Sequence, residues 1–386
     1  MLSMAYMLTI SLISGSILAY LLLVHRLRFA NRDGLSQRFV HLNSARDMVK
    51  MTSEEARQIV RVLSQFESPY FLHISYSLAL LQTYAVPRIS SLLNRTGRLA
   101  HPACAGRRAE DTVCLLMEAE IHGPESERGL LAISRINFIH RIYGSAITRD
   151  DMLFTLTLAI LEPTRLIDWL DWRPSTDLEK HARFVLWRDI GTRMGITDIP
   201  STPQALADWL AEYRLQAVAF AESNNTVGET SLSLFLRPWP ALLRPILRRA
   251  VMVFIPDDIR QGFGWPAPSA FCRSLVYILI RCRAFCIRHF FLPRQSPFDF
   301  GLTDTRLHTL APSGKKLYQR NTWLFEPWYV RQSSIHRVLA LLGFTVPSSK
   351  FHCEGYSIES LGPENLSHLG GKEVELKAEL ARSVKN

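Results

Sequence analysis

Residues 1–24 carry no charged side chain, and no other feature limits the choice of fold so strongly. From Met4 to Val24 the run is almost entirely apolar, and it ends at His25-Arg26-Leu27-Arg28. Roughly 20 such residues make a helix long enough to cross a hydrocarbon core of about 30 Å. A cleavable signal peptide would begin with basic residues, keep its apolar part shorter and end at a small-residue site. Here the arginines follow the apolar run. The expectation is therefore a retained single-pass anchor over residues 1–28, with Arg26, Arg28, Arg32 and the body of the protein on the cytosolic side.

Behind the anchor, residues 29–365 are expected to form one mostly helical domain, and residues 366–386 a charged tail that frays or forms a solvated helix. Apolar residues make up 47% of the chain and charged residues 21%, the balance of a folded protein with a proper core. After a polar linker over residues 30–50, the helical period dominates. Thr52-Ser-Glu-Glu55 reads as a capping box opening a helix to about Gln65. Pro69 and Pro87 bracket another helix, and further helices are expected near 109–122, 127–143, 149–171, 177–194 and 203–222. Glu162-Pro163 predicts a kink or break after Leu161, and Trp169, Trp172 and Trp187 near it offer large apolar walls. Alternation of period two is scarce, so the fold class expected is all-α.

From Leu234 to Arg294 bulky apolar residues mix with arginines. Phe271 to Leu292 is apolar but interrupted by Arg273, Arg281, Arg283 and Arg288. That is too broken to span a bilayer and suits a helix lying in its interface, with membrane lipid as the partner. A helix docked on the domain's own core, with its arginines solvated, would have the same composition. The net charge of +10 is not interleaved with exposed aromatics on one domain, which argues against nucleic acid as a partner. Six cysteines in helical or apolar surroundings fit a reducing compartment.

The stretch from Arg135 to Tyr143 carries the most chemistry. In a helix, His140 shares an apolar side with Ile133, Ile136 and Tyr143, while Arg141 points elsewhere. A neutral imidazole facing an apolar slot can ligate haem iron or another transition metal. A hydrogen-bonded core histidine has the same sequence pattern. Arg108 and Thr112 stand four apart on one helix face, where they could orient an anionic group or a bound oxygen; an ordinary solvated arginine looks no different. Cys282, Cys286 and His289 share a helix face too, but no fourth zinc ligand lies near them. The stretch Gly262 to Cys272 lacks the basic residue and glycine of a cytochrome P450 thiolate loop. Nucleotide-binding glycine loops, His-Glu-x-x-His and Gly-x-Ser-x-Gly are absent from the sequence.

These residues together resemble a family. Arg107-Arg108 with Asp111-Thr112, Arg135-Ile-Asn137 with His140, and Asp151-Met-Leu-Phe-Thr155 with Glu162-Pro163 are similar to blocks of the MpaB-type oxygenases. Those enzymes of fungal secondary metabolism are bound to the endoplasmic reticulum and related to the latex-clearing rubber oxygenases. Trp187 to Ile196, Pro327-Trp328-Tyr329 and Tyr356 to Pro363 extend the similarity, which runs from about residue 100 to 363. It implies a globin-like helical catalytic domain with haem b. His140 falls on the iron ligand, Arg108 and Thr112 on the catalytic arginine and threonine of the haem pocket, and Arg135 on a residue that helps orient the cofactor. The implied reaction is cleavage of a carbon–carbon double bond in an apolar isoprenoid or polyketide-type substrate by dioxygen, at the endoplasmic reticulum membrane. Asn137 departs from the basic residue that rubber oxygenases tend to carry near the histidine. Two other readings fit an all-α anchored chain: a metal-free lipid-binding or scaffold protein, and a cofactor-free cyclase or isomerase on a similar substrate.

Overall fold

A 26-residue helix, α1 (Leu2–Leu27), covers the uncharged run and is exposed along nearly all of it. Among the described residues it is the one helix long and apolar enough to cross a membrane. The computed structural model describes residues 2–298, 308–310, 316–323, 325–341 and 345–383. At the end of α1 the chain is gripped by the body. Arg28 is buried, its guanidinium 3.7 Å from the centre of the Trp172 ring, and it donates to the Leu292 carbonyl at 3.3 Å.

The linker is more ordered than its polar composition predicts. It folds as α2 (Ala30–Arg38), a short turn and α3 (Ala45–Met48), because Leu35, Phe39 and Leu42 recur on one face and all three are buried. Next, α4 (Ser53–Val62) begins at a complete capping box: the Thr52 hydroxyl accepts from the Glu55 amide at 3.2 Å, and the Glu55 carboxylate accepts from the Thr52 amide at 2.8 Å. A wide turn over Leu63–Glu67 leads into α5 (Pro69–Thr83) and α6 (Pro87–Thr96), each opened by its proline at the first helical position. Gly97, at φ +67°, ends α6 in the left-handed conformation that glycine adopts without penalty.

The central helices are α7 (Pro102–His122), α8 (Glu127–Tyr143), α9 (Arg149–Leu170), α10 (Asp177–Arg193), α11 (Pro203–Ala217) and α12 (Glu222–Leu236). Of these, α12 has no counterpart among the helices expected from the sequence, α7 begins before the expected 109, and α9 and α11 differ in continuity and length. Pro163 does not break α9, whose helix runs through it. Leu158, Ile160, Leu166 and Ile167 on either side are at most 2% exposed, so packing holds both halves in line despite the lost donor. The helix expected over 203–222 instead stops at Ala217. Asn224, fully buried, donates to the carbonyls of Ala85, Ala219 and Gly262, which pins the intervening residues outside a helix.

In the basic region lie α13 (Arg244–Val251), α14 (Asp257–Gly262) and α15 (Ala270–Phe290). The described strands, β1 (His308–Leu310) and β2 (Lys316–Tyr318), form one antiparallel pair with His308 opposite Tyr318, and they leave the fold all-α. The chain ends with α16 (Ser334–Leu341) and α17 (Gly371–Ser383). The tail helix is docked, not solvated all round. Val374 and Ala378 are buried as α17 packs on α8, and Arg141 pairs with Glu373 at 2.6 Å. Residues 384–386 of the expected tail lie outside the described residues.

Packing of α5 on α9, α4 on α10 and α7 on α8 makes the core. Ile59, Leu153, Ile160, Phe184 and Ile190 fill one part of it, and Leu63, Leu166, Leu232, Ile259 and Phe263 another. Between these two parts the helices stand apart enough to leave a cavity.

Candidate functional site at the central cavity

The cavity has a volume of about 280 Å³ and is enclosed mainly by α5, α6, α7, α8, α9 and α12. Leu81, Leu116, Ile139, Met152, Leu156 and Phe235 give it predominantly apolar walls. An apolar space with a few convergent polar groups is the usual form of a small-molecule or cofactor site.

Few polar groups reach into it. His140, in the last turn of α8, lines the cavity beside Ile139 and Tyr143. Its ring is half-buried overall, yet Nδ1 is sequestered and has no hydrogen-bond partner among the described residues. Burial, helped by the nearby Arg108 charge, pushes its pKa down from 6.5 to about 4. The imidazole is neutral at pH 7, the form that binds a metal.

Arg108 and Thr112 line the same cavity from α7, one turn apart. The Arg108 guanidinium donates to the Thr112 hydroxyl, which in turn donates to the Arg108 carbonyl at 2.9 Å. No carboxylate pairs with Arg108 among the described residues, so its charge is available to an anionic group inside apolar walls. Arg98, just after α6, also lines the cavity and has no ion pair among the described residues. Tyr84 adds a phenol that burial keeps protonated, with the Arg108 charge opposing in part. His73 enters from α5, and burial together with the Arg320 charge lowers its pKa to about 3. The one carboxylate in the lining, Asp151, is committed elsewhere. It caps α9 through Thr148, accepts from Arg88 at 2.9 Å and from the Tyr213 hydroxyl at 3.2 Å.

The structure thus brings His140, Arg108 and Thr112 together and sets Arg135 apart. Arg135 is fully buried, but it does not line the cavity. Its guanidinium donates to the carbonyls of Leu361, Leu366 and Leu369 at 2.7–2.8 Å. That fixes the C-terminal segment on the far side of α8. The corresponding face of α7 does the same with acids. The Tyr329 hydroxyl donates to Asp111 at 2.6 Å, the Tyr356 hydroxyl to Glu118 at 2.5 Å, and Arg128 forks onto Glu118 at 2.5 and 2.7 Å. Asn137 donates to the Arg193 carbonyl at 2.9 Å.

Sequence reasoning missed Arg98, His73 and this polar strap. A signal existed for His73, a lone titratable group in an otherwise Leu- and Tyr-rich helix, and for Asp111 and Glu118, seven apart on one face of α7. None existed for Arg98, which sits in a turn.

The donor set fits a haem better than a bare ion. Among the described residues no three His, Cys, Asp or Glu side chains come together. Two neutral imidazoles, His140 and His73, share an apolar cavity with two arginines that could meet acidic substituents, a set that suits a macrocycle supplying its own equatorial ligands.

Comparison with known proteins agrees with the residues. Residues 93–283, from α6 to α15, match the family model described as ER-bound oxygenase mpaB/B'/Rubber oxygenase, catalytic domain. The ER-bound oxygenase mpaB' of Penicillium brevicompactum is 27% identical over 384 residues, covering 94% of this chain and 89% of that protein. The ER-bound oxygenase mpaB of Penicillium roqueforti is 29% identical over 262 residues, 64% of this chain and 88% of the relative. The mpaB of Penicillium brevicompactum is 25% identical over 373 residues, 94% and 90% of the two chains.

Proposed function

The chain belongs to the family of ER-bound MpaB-type and rubber oxygenases, and from that premise we propose that it is a membrane-anchored haem oxygenase that cleaves a carbon–carbon double bond of an apolar isoprenoid or polyketide-type chain with dioxygen. Its relatives are oxygenases by name, and the matched region contains Arg98, Arg108, Thr112 and His140. The observation that carries the proposal is the neutral His140 ring in the wall of an apolar cavity that Arg108 and Arg98 also line.

In this reading His140 would hold the iron, and packing of α8 would limit the motion of its ring. Arg108 and Arg98 would pair with the haem carboxylates. Thr112 holds the Arg108 guanidinium in place, so the charge stays directed into the cavity at little entropic cost. Haem bound there would supply the capacity to activate dioxygen. The aliphatic walls hold the alkene by burying its surface and keep water from the reacting bond. Overall, one double bond and one dioxygen become two carbonyl groups, so both oxygen atoms end in the products and no outside reductant is consumed. Localisation follows from α1: we place the catalytic domain on the cytosolic face of the endoplasmic reticulum membrane, as the arginines after the anchor direct.

The test uses full-length protein in detergent, supplied with haem during expression and given isotopically heavy dioxygen with a panel of long-chain alkenes. Mass spectrometry should find paired carbonyl fragments that each carry one heavy oxygen, and none from His140→Ala. Products of unchanged mass formed without dioxygen would overturn the proposal in favour of a cofactor-free isomerase.

A further inference from the structure

The helix α15 is amphipathic in the wrong sense for a protein surrounded by water. Of its 21 residues only Ala284 is buried. At about 100° per residue, Phe271, Leu275, Ile278, Leu279, Cys282 and Phe285 fall within an arc of roughly 120°. That arc points away from the body: Phe271 is 76% exposed and Leu279 60%. The side turned inward is the opposite one, with Val276, Ile280 and Ala284. Three arginines stand between the two sides, and Arg273 falls on the inward side. Arg281 and Arg288 lie on one flank, and Arg283 on the other reaches Asp171 at 3.1 Å. A contiguous apolar face of this kind on a folded domain marks a surface that is covered in use.

Two neighbours extend the face. The loop into α13 exposes Trp239, Leu242 at 86% and Ile246, next to Arg244 and Arg249. At the other end, α15 meets the anchor: the Tyr20 hydroxyl donates to the Phe290 carbonyl at 3.0 Å, and Arg28 donates to that of Leu292 at 3.3 Å. Tyr20 lies about two turns before the end of α1, so the C-terminal end of α15 sits at the level where the anchor leaves the bilayer. No Asp or Glu occurs from Ser231 to Pro256 or from Ala270 to Phe290. The flanking charge is therefore purely basic.

We propose that α15 and the loop before α13 lie in the headgroup layer of the same bilayer that α1 crosses, with their apolar side among the acyl chains and their arginines on anionic headgroups. This rests on α1 being the anchor, and continuity with α1 is what selects a lipid surface as the occupant. The location has a consequence for substrate. Leu234, Phe235 and Val251, which bracket the inserted loop, are walls of the cavity. An apolar substrate dissolved in the leaflet then lies against the outer side of the segment that encloses the site, and its local concentration there is that of the membrane.

The native cysteines provide the test without mutation. Cys282 and Cys286 are exposed on the apolar face, whereas Cys104 and Cys353 are half-exposed elsewhere. Full-length protein is reconstituted in vesicles of phosphatidylcholine and phosphatidylserine that contain a photoactivatable acyl chain, and is then treated with a charged maleimide. Peptide mass spectrometry reads both labels. Exposure alone makes Cys282 and Cys286 the faster thiols; insertion should make them slower than Cys104 and Cys353 by on the order of tenfold. The acyl label should appear on both α1 and α15 peptides, and its yield on α15 should fall in vesicles lacking phosphatidylserine. Acyl label on α1 alone overturns the proposal and leaves the anchor intact. Label on neither removes the anchor as well. Cysteines shielded from maleimide without acyl label would mean that the face binds protein, such as a second copy of this chain.

Discussion

Each of α7 and α8 has two working faces, and the contrast between them explains most of this molecule. On one side of the pair, Arg108, Thr112, Ile139 and His140 line an apolar cavity, and among the described residues no carboxylate pairs with the Arg108 guanidinium. On the other, Asp111, Glu118 and Arg135 are fully buried, and each is matched to hydroxyls or carbonyls of the strap or to the Arg128 guanidinium of α8. Satisfaction of hydrogen bonds separates the two faces. The strap face spends its polar groups on stability. The cavity face holds some in reserve for a ligand.

Substitutions on the two faces should therefore fail differently. The largest stability effect is expected for Glu118→Leu, which strips Arg128 and the Tyr356 hydroxyl of their acceptor inside the protein. The cost should be about 3–5 kcal/mol, read as a lowered denaturation midpoint. Arg135→Met follows. Three carbonyls lose their donor, and stability should fall by about 2–3 kcal/mol while any cofactor absorbance of the surviving folded protein is kept. A stable Arg135→Met protein that loses cofactor would move Arg135 to the cavity side of the comparison. Arg108→Leu is the converse case: haem affinity should drop on the order of 10–100-fold with the denaturation midpoint of the cofactor-free protein nearly unchanged.

The smallest effect is a difference in acid response. His140 is held down at about 4 against 6.5, so its contribution to stability is present above about pH 6.5 and is lost as pH falls through 4. Asp111 is pushed up by burial to about 6 against 3.8, and the Tyr329 hydroxyl and Arg107 pull it back only in part. Its contribution is present below about pH 3.8 and is lost as pH rises through 6. Between pH 7 and 4.5 the two act with opposite sign. His140→Ala should lose less stability than the parent protein on acidification and Asp111→Asn should lose more, as measured by paired denaturation curves at the two pH values.

The same contrast shows what could be read from the sequence. Local rules were sufficient where local chemistry decides: the capping box at Thr52, Pro69 opening α5, and the uncharged run of α1; Pro87, expected only to end that helix, in fact opens α6. Helical spacing correctly set Arg108 beside Thr112. It was not enough for Arg135, because a motif block such as Arg135 to His140 wraps around a helix, and only the position of the C-terminal segment, more than 200 residues away, shows which neighbour each side chain meets. Pro163 and the break at Ala217 misled for a related reason, since tertiary packing and the Asn224 amide overrule local propensity there. Arg98 and His73 join the site through the packing of α5 on α9 and of α6 on α12, which no spacing encodes.

The central claim is that the neutral His140 ring in the cavity wall binds iron. It is tested most directly by the ultraviolet–visible spectrum and iron content of full-length protein purified in detergent after expression with added haem, beside His140→Ala and Arg135→Met. The account predicts about one iron per chain and a Soret band, both lost in His140→Ala and both kept in Arg135→Met. A parent protein with neither iron nor band, or a band that survives in His140→Ala, would contradict it and return His140 to the core.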